Sequence, residues 1–301
     1  MICLIAGDLV LLLVIKYGIQ KYFESEDLGD LKYYMGCEVH RDRAASTLTI
    51  SQTGYVKEVC KRFNVRGAQE LTPYVPSRRL DGHGEDEACA ENTPYREAVG
   101  SLMWASLMTR IDIASMVREV AMYCEEPKRV HWHAVLSVLG YLNTFPERGI
   151  TFGGPNAVCE LSAYGDASYG PYIRDRRSVT GGVVMFYSGA ISWMSKTQRV
   201  VAQSTTESEY IAQSAVGQEI LFLRNVWEFI QPSLPRHQVI IFEDNDGAAK
   251  QAHNSISASR SRTNHIDIRH HFLRNLQING EINVCRVGTA DNHADPLTKN
   301  L

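Results

Sequence analysis

The pattern of apolar and polar positions divides the chain into two blocks. In the first block a polar turn, residues 41–46, separates two strand-like runs, residues 33–39 and 47–51. Apolar residues then recur at helical spacing, which predicts four helices, over residues 55–63, 95–108, 111–123 and 131–142. A stretch rich in proline, glycine and acidic residues, 66–92, is typical of a surface loop. We therefore predict an α+β unit over residues 1–153.

The second block, residues 154–301, mixes strands and helices. Three strand-like runs come first, at residues 158–166, 182–187 and 190–195. A long amphipathic helix is predicted over residues 207–230, and the unbroken apolar run at residues 239–242 is typical of a strand covered on both faces. A helix over residues 266–277 and a strand over residues 282–287 follow. This order predicts a mixed α/β sheet with flanking helices.

A short apolar run near the N-terminus, residues 9–15, raises the question of a membrane segment. A membrane span needs about 20 apolar residues, and a secretory signal needs a basic start and a small-residue cleavage site. The run has neither the length nor those flanks. We therefore expect a buried strand or helix here, and no membrane association.

Composition narrows the class further. The chain is 44% hydrophobic and 22% charged, as is typical of a globular protein, and its net charge of −3 excludes a generally basic surface. Affinity for nucleic acid would therefore come from local basic patches. The seven cysteines are scattered, with no C-x-x-C pair. This indicates a reducing compartment and argues against a disulfide framework or a zinc knuckle.

Four acids stand at meaningful points of this pattern. Asp166 and Asp244 close predicted strands, Glu209 lies in the first turn of the long helix on its apolar face, and Asp295 lies in the last loop. Clustered carboxylates repel one another unless a cation compensates. Magnesium takes oxygen ligands, and two such ions about 3.5–4 Å apart support hydrolysis of a phosphodiester.

Each of these acids also has a purely structural interpretation. Thr206 and Glu209 have the spacing of a capping box, in which the glutamate ties down the start of the helix. Asp166 and Asp244 suit turns, and Asp295 suits a helix cap. For every acid taken singly, spacing alone favours the structural interpretation.

Seven pieces of the second block occur together in a fixed order. They are YGDAS (164–168), DRRSVTGG (175–182), ISWMSK (191–196), STTESEYIA (204–212), EDN (243–245), HIDIRHHF (265–272) and ADPLTK (294–299). In these pieces the block resembles the ribonuclease H domain of copia-type retrotransposon polyproteins. The resemblance implies a ribonuclease H-like mixed sheet and a two-metal nuclease that cuts the RNA strand of an RNA–DNA hybrid. By position it implies four catalytic and metal-binding acids, Asp166, Glu209, Asp244 and Asp295, with magnesium or, alternatively, manganese as the ion. Glu207 is the rival of Glu209.

Residues 1–153 resemble the end of the reverse transcriptase of the same polyproteins. The matching pieces are residues 27–29, 33–39, 48–55, 95–102 and 109–113. In the family, the aspartate pair of the polymerase precedes a segment like Leu4-Ile5-Ala6-Gly7, and no such pair stands before it here. We therefore expect a truncated reverse transcriptase remnant without polymerase activity, which at most helps to hold a hybrid.

Basic and polar residues of this block are candidate contacts with such a substrate, and a basic run is equally typical of a solvated face. A hybrid needs basic and polar groups along its phosphates and at its 2′-hydroxyls. The candidate contacts are Ser204, Thr205, Asn245, Arg262, His265 and Arg269. A zinc site is the alternative for a neighbouring group of residues, His265, Asp267, His270 and His271. The last three have a helical spacing that places them on one face. Because the chain has no C-x-x-C or H-E-x-x-H signature, we favour polar contacts on a helix face.

Departures from the family keep other functions open. Glu243 and Asp246 flank the third acid where the family usually has less charge, and we expect them to disturb metal affinity. The helix that the family has after Asp295 is expected to be almost entirely missing. A decayed fragment that binds nucleic acid without cutting it, and an integrase or resolvase of the same fold, are the alternatives. Other segments of the parent polyprotein are further candidate partners, and the cytoplasm, within a virus-like particle, or the nucleus is the expected location.

Overall fold

The computed structural model describes residues 4–65, 70–74, 80, 88–89, 92–172, 175–232, 237–245, 247 and 272–299. Its first helix, α1 (Leu9–Tyr22), begins at Asp8, whose side chain accepts a hydrogen bond from the Val10 N–H at 2.9 Å. The apolar run near the N-terminus is therefore helical. The expectation that it is buried is wrong, because α1 has no buried residue. Burial requires a packing partner as well as apolar side chains, and Leu9 is 70% exposed. Within the described ranges, every helix is too short or too polar for a membrane crossing.

The first block forms an antiparallel sheet covered by helices. The strands, in their order across the sheet, are β1 (Tyr33–Tyr34), β2 (Cys37–Asp42), β3 (Thr47–Ser51) and β4 (Gly149–Gly153). The helices are α2 (Thr53–Arg62), α3 (Tyr95–Met108), α4 (Ala114–Ala121) and α5 (Arg129–Thr144). The helix predicted over residues 95–108 is confirmed. The one predicted over residues 111–123 divides into a 3₁₀ turn, Ile111–Ile113, and α4.

The helices of this block share one apolar core. Side chains from each of them meet in it, among them Val56, Leu102, Val120 and Leu139. The block also buries a charge, the Arg110 guanidinium, which is 1% exposed. It donates to both carboxylate oxygens of Asp112, at 3.0 and 2.7 Å, and to Phe145 O at 2.9 Å. A buried charge that is paired in this way costs far less than an unpaired one.

The second block forms a five-stranded mixed sheet. Its strands are β5 (Leu161–Ser168), β6 (Val179–Phe186), β7 (Gly189–Thr197), β8 (Val239–Glu243) and β9 (Ile282–Arg286). They lie in the order β7-β6-β5-β8-β9, with β5 antiparallel to β6 and parallel to β8. Helix α6 (Thr205–Ile230) packs across β5 and β6, and residues 272–278 are also helical. The predicted mixed sheet with flanking helices is confirmed, and residues 266–271 of the last predicted helix lie outside the described residues.

One face of β8 is less covered than predicted. Val239 and Ile241 pack with Tyr210 of α6 and with Leu273, whereas Ile240, on the opposite face, is 37% exposed. The prediction that both faces are covered is therefore wrong. An unbroken apolar run does not distinguish a strand covered on both faces from one with a partly exposed apolar face.

The two blocks contact each other through α3, α4 and β7. The Trp193 indole on β7 donates to Ser106 O at 2.9 Å. Ala114 of α4 packs in one apolar cluster with Val183 and Leu297. The predicted domain boundary coincides with the end of β4, and the division into two domains stays a prediction.

Candidate active site

Two neighbouring parallel strands carry acids at the same end. In the pairing of β5 with β8, Tyr164 lies opposite Phe242. Asp166 and Asp244 lie two residues beyond this pair, one on each of the two strands. They therefore come side by side at the carboxyl end of the sheet, where ligand sites commonly lie. Asp244 directly follows β8, as predicted. Asp166 lies within β5, two residues before its end, rather than closing it, and is 2% exposed.

The loop after β9 brings a third acid to this edge. Asn292 anchors the loop, because its side-chain amide donates to Gly165 O of β5 at 3.0 Å. Its Oδ1 also accepts a hydrogen bond from the Ala294 N–H at 3.0 Å. Asp295 then begins a 3₁₀ turn, Asp295–Leu297. Two consecutive contacts of one asparagine thus place this acid beside the end of β5.

Gly181 of β6 makes room for the same loop. It pairs with Asp166 across β5 and β6. A Cβ placed on Gly181 would lie 2.6 Å from Thr298 Cγ2 and 2.9 Å from Ala294 O, closer than real Cβ atoms approach. The missing side chain lets the loop lie against the sheet, and the Thr298 hydroxyl donates to Asp166 Oδ2.

The start of α6 separates the roles of Glu207 and Glu209. Ser204 caps the helix, because its Oγ accepts from the Glu207 N–H at 3.1 Å, while the Glu207 carboxylate accepts from the Gln203 N–H at 2.8 Å. The alternative interpretation of Thr206 and Glu209 as a capping box is therefore wrong, since the helix begins two residues earlier than predicted. Glu209 consequently lies in the second turn, not the first, and its 7% exposed side chain takes no part in the cap.

Five carboxylates converge at this edge in two overlapping groups. The outer group, beside the last loop, contains Asp166, Asp244 and Asp295. The inner group, beside α6, contains Glu209, Glu243 and Asp244. Within each group, one oxygen of every residue lies within 4.8 Å of the others. All four acids selected from the sequence thus come together, with Glu243 as a fifth, and their catalytic role stays a prediction.

Glu243 is a member of the cluster that the sequence motifs did not indicate. It is fully buried; its Oε2 accepts from Gln213 Nε2 and its Oε1 accepts from the Asn245 N–H at 2.9 Å. The signal that finds it is the alternation along β8, because Val239, Ile241 and Glu243 are all buried on one face. Glu243 therefore lies inside the acidic cluster rather than flanking it.

Burial and mutual repulsion raise the pKa of three acids of the cluster, Asp166, Glu209 and Glu243. Burial raises the pKa of Asp166, partly offset by the hydrogen bond from Thr298. Burial, followed by the negative charges of its neighbours, raises the pKa of Glu209. Burial also raises the pKa of Glu243. The cluster therefore favours its fully ionised form only when positive charge is added.

Lys299 brings a positive charge to the outer group. Its ammonium donates to Asp295 Oδ1 and lies 4.0 Å from Asp166 Oδ2. Burial by itself lowers the pKa of Lys299, but the hydrogen bond to Asp295 and the nearby carboxylates raise it above its ordinary value. The outer group thus attracts a cation that belongs to the chain itself.

The ligand chemistry of the cluster fits a hard divalent cation. All the donors are carboxylate oxygens, which magnesium and manganese prefer over softer ligands. Among the described residues, Glu209 Oε2 is buried without a hydrogen-bond partner. A buried oxygen without a partner is costly, so this atom is available as a ligand.

An aromatic stack lies beside the outer group. The Tyr164 ring stacks on Phe242, with ring centroids 4.8 Å apart, and on His293, at 4.4 Å. Each of these rings precedes one acid of the outer group by two residues. Since side chains two apart on a strand share a face, Tyr164 and Phe242 lie on the same face as the acids that follow them. The stack therefore ties together the three segments that carry the outer group.

The predicted substrate contacts are described only in part. Thr205 is the exposed first residue of α6, and the exposed Ser204 is its cap. The backbone N–H of Asn245 donates to Glu243 Oε1. Outside the described residues lie Arg262, His265 and Arg269, and also Asp267, His270 and His271 of the zinc alternative. These contacts stay predictions.

Comparison with known proteins identifies relatives of the whole chain. The retrovirus-related Pol polyprotein from transposon TNT 1-94 of Nicotiana tabacum is 35% identical over 303 residues, covering 98% of this chain and 22% of the polyprotein. The corresponding polyprotein from transposon RE2 of Arabidopsis thaliana is 32% identical over 301 residues, covering 100% of this chain and 20% of the polyprotein. The chain thus spans about a fifth of the length of these curated relatives. No family model matches it.

Among solved structures, similar chains include a ribonuclease H at low sequence identity. LC11-RNase H1, isolated from compost, is 12% identical with a TM-score of 0.34, covering 46% of this chain and 93% of that chain. The same enzyme in complex with an RNA/DNA hybrid is 11% identical, with the same TM-score and coverage. The relatives that align with the whole sequence decide the family. The chain is thus homologous to a segment of the retrovirus-related Pol polyproteins of copia-like plant transposons.

Proposed function

We propose that this chain is a ribonuclease H-type endonuclease, which hydrolyses the RNA strand of an RNA–DNA hybrid. One observation carries the proposal: five carboxylates from four separate segments converge at the carboxyl end of β5 and β8. Burying like charges together opposes folding, so such a cluster indicates a function rather than a contribution to stability. Homology to a segment of the Pol polyproteins supports the same assignment.

Two magnesium ions, or two manganese ions, are the proposed cofactors. Asp166, Asp244 and Asp295 would hold one ion, and Glu209 with Asp244 would hold the other. Bound at these residues, such ions supply activation of a water molecule and stabilisation of the leaving oxygen of a phosphodiester.

The surrounding groups of the chain position these ligands. The Thr298 hydroxyl fixes one oxygen of Asp166, and the Asn292 side chain holds the loop that carries Asp295. Lys299, whose side chain is 44% exposed, is the proposed contact to a phosphate on this side. On the α6 side, Thr205 and Asn245 are the proposed contacts to sugar or backbone. Substrate binding and ligand placement are thus assigned to separate residues.

The experiment is a cleavage assay on matched nucleic-acid duplexes. Purified protein is incubated with an end-labelled RNA–DNA hybrid, a DNA duplex and an RNA duplex of the same sequence, in magnesium, in manganese and in chelator. We expect cleavage of the RNA strand of the hybrid alone, and only with a divalent cation.

The other outcomes identify the alternatives. Binding of the hybrid without cleavage in either metal would overturn the proposal and support an inactive fragment. Cleavage of the DNA duplex would overturn it in favour of an integrase-like or resolvase-like nuclease.

A further inference from the structure

Glu243 is an acid at a position where packing alone would favour an apolar residue. Val239, Ile241 and Glu243 lie on the face of β8 that is buried under α6, where the first two pack in an apolar core. Glu243 continues that row and is 0% exposed. A carboxylate at this point is costly unless a specific interaction compensates for its burial.

The inner group lacks the positive charge that the outer group has. Lys299 contacts Asp295 in the outer group. In the part of the chain that the structure describes, no lysine or arginine forms an ion pair with Glu209 or Glu243. Instead Glu243 is held by two neutral donors, the Gln213 amide and the Asn245 N–H. The negative charge of the inner group is therefore left uncompensated by these residues.

Unpartnered oxygens point to what is missing. Glu209 is more than nine-tenths buried, since it is only 7% exposed. Its buried Oε2 has no hydrogen-bond partner among the described residues. The Oε1 of Gln213, whose amide contacts Glu243, is likewise buried without a partner there. Oxygen atoms without donors, placed around a negative cluster, provide the environment that a hard cation requires.

We propose that Glu243 is a further ligand of a divalent cation held between Glu209, Glu243 and Asp244. This inference rests on the proposed function and deepens it, because it adds a fifth carboxylate to the four that the motifs indicate. Oxygens around a magnesium ion lie about 3–4.2 Å from one another, given metal–oxygen distances of about 2.1 Å. The inner oxygens lie within 4.8 Å of one another, so a small side-chain adjustment brings them into that range.

The experiment is a calorimetric titration of the metal-free full chain with Mn²⁺ alone. The wild-type protein is expected to bind two ions. Glu243→Gln is expected to retain one ion and to bind the second at least tenfold more weakly, because a neutral amide replaces a carboxylate ligand. This variant is expected to fold, since the free Oε1 of Gln213 can turn to accept from the new amide. The matched control is Glu207→Gln, which makes the same substitution at a carboxylate of α6 outside the cluster and is expected to leave the binding of both ions unchanged.

A second variant, Glu243→Asp, tests the inference if Glu243→Gln does not fold. Glu243→Asp keeps the charge but withdraws it by one methylene group, and the second ion is expected to bind at least threefold more weakly than in the wild type. Unchanged stoichiometry and affinity in Glu243→Gln, or in Glu243→Asp if only that variant folds, would show that Glu243 merely anchors α6 and would overturn the inference. Binding of a single ion by the wild type would overturn it as well.

The cleavage assay distinguishes this failure from a failure of the proposed function. One bound ion together with cleavage of the hybrid removes the role of Glu243 and leaves the ribonuclease assignment in place. Binding of two ions by the wild type, with only the second weakened in Glu243→Gln and without cleavage of any hybrid, supports Glu243 as a ligand and removes the ribonuclease assignment.

Discussion

The helical core of the first block and the sheet edge of the second block bury charge in opposite ways. In the helical block, the buried Arg110 donates to Asp112 and to Phe145 O, so its charge is compensated by fixed groups of the chain. At the sheet edge, Asp166, Glu209 and Glu243 are buried together, and their burial raises the pKa of each. The first arrangement is complete in the protein alone, whereas the second keeps an excess of negative charge, which the proposed cation would compensate.

This difference separates stability from function within one chain. Apolar packing and paired charges stabilise a fold without any ligand. A buried cluster of like charges lowers the free energy of unfolding until a ligand compensates for it, and ligand binding then raises that free energy. The two regions should therefore respond to different changes, and the following experiments test that expectation from the largest effect to the smallest.

The largest effect is expected from Asp244→Asn. Asp244 is the residue common to the outer and inner groups, so its loss affects both proposed ions. Cleavage of an RNA–DNA hybrid should fall on the order of 10³-fold or more, while the thermal unfolding midpoint in chelator should not decrease. Initial rates on a labelled hybrid measure the effect, with the exposed Glu160→Gln as control. Full activity in Asp244→Asn would show that the site is misplaced.

A cavity in the helical core should destabilise the protein regardless of metal. Leu139 is 0% exposed in the core of α2–α5, and Leu139→Ala should lower the free energy of unfolding by about 2–5 kcal/mol. The exposed Leu107→Ala should change it by less than about 0.5 kcal/mol. Urea unfolding with and without magnesium measures both. If magnesium binding varied with the core substitution rather than with the acids, the two regions would not be independent.

The pH dependence should differ between metal-free and metal-bound protein. Unfolded carboxyls ionise near 3.8 and 4.5, but the pKa of Asp166, Glu209 and Glu243 is raised in the folded state. The folded state therefore holds more protons above those ordinary values, and the contribution of these groups to stability falls as the pH rises. A bound cation reverses this effect because it favours the ionised acids.

We accordingly expect the stabilisation by magnesium to increase between about pH 5 and about pH 8. Near saturation it should amount to about 2–3 kcal/mol, as for a ligand at roughly 100 times its Kd. Thermal unfolding at matched ionic strength, with calcium-free magnesium or with chelator, measures the difference. A difference in unfolding midpoint between magnesium and chelator that does not change with pH would contradict the assignment of the raised pKa values to a metal site.

A smaller effect is expected where the two regions meet. Arg118 of α4 donates to Ser195 Oγ at 3.0 Å, and Ser195 donates to Leu297 O at 2.6 Å, in the turn that Asp295 begins. Arg118→Met should lower metal affinity by about tenfold through the displaced turn, with a loss of only about 1 kcal/mol in stability. Calorimetry and urea unfolding are compared. Equal losses of stability in the presence and absence of metal, without a change in affinity, would give Arg118 a structural role alone.

The smallest effect is expected from Glu207→Gln. The Glu207 carboxylate accepts from the Gln203 N–H and closes the cap of α6, so its loss should lower stability by about 0.5–1 kcal/mol without slowing cleavage. Parallel assays with Glu209→Gln, which should be inactive, make the comparison. Activity that survives Glu209→Gln and is lost in Glu207→Gln would reverse the assignment of the two glutamates.

The sequence predicts those features that repeat with a period or occur in an ordered motif. The helix over residues 95–108 and the convergence of the four motif acids belong to this class. The motifs do not indicate Glu243, because its place in the cluster depends on which face of β8 is buried. The packing of α6, from a distant part of the chain, determines that face. Spacing does not identify the cap of α6, because two overlapping Ser/Thr-x-x-Glu patterns start this helix and only the tertiary position of Glu209 separates them. The burial of α1 is not predictable from its sequence, because an apolar run specifies a helix but not a packing partner.

The position of Asp295 depends on Gly181 of β6, a residue more than a hundred positions earlier in the chain. Gly181 lies against Thr298 and Ala294, where even a methyl group would collide with the backbone. An alanine at this position would leave the acidic motifs of the sequence unchanged, yet it would displace the segment that carries Asp295 from the sheet. Gly181→Ala is therefore expected to disturb the acidic cluster although all five of its carboxylates are still present.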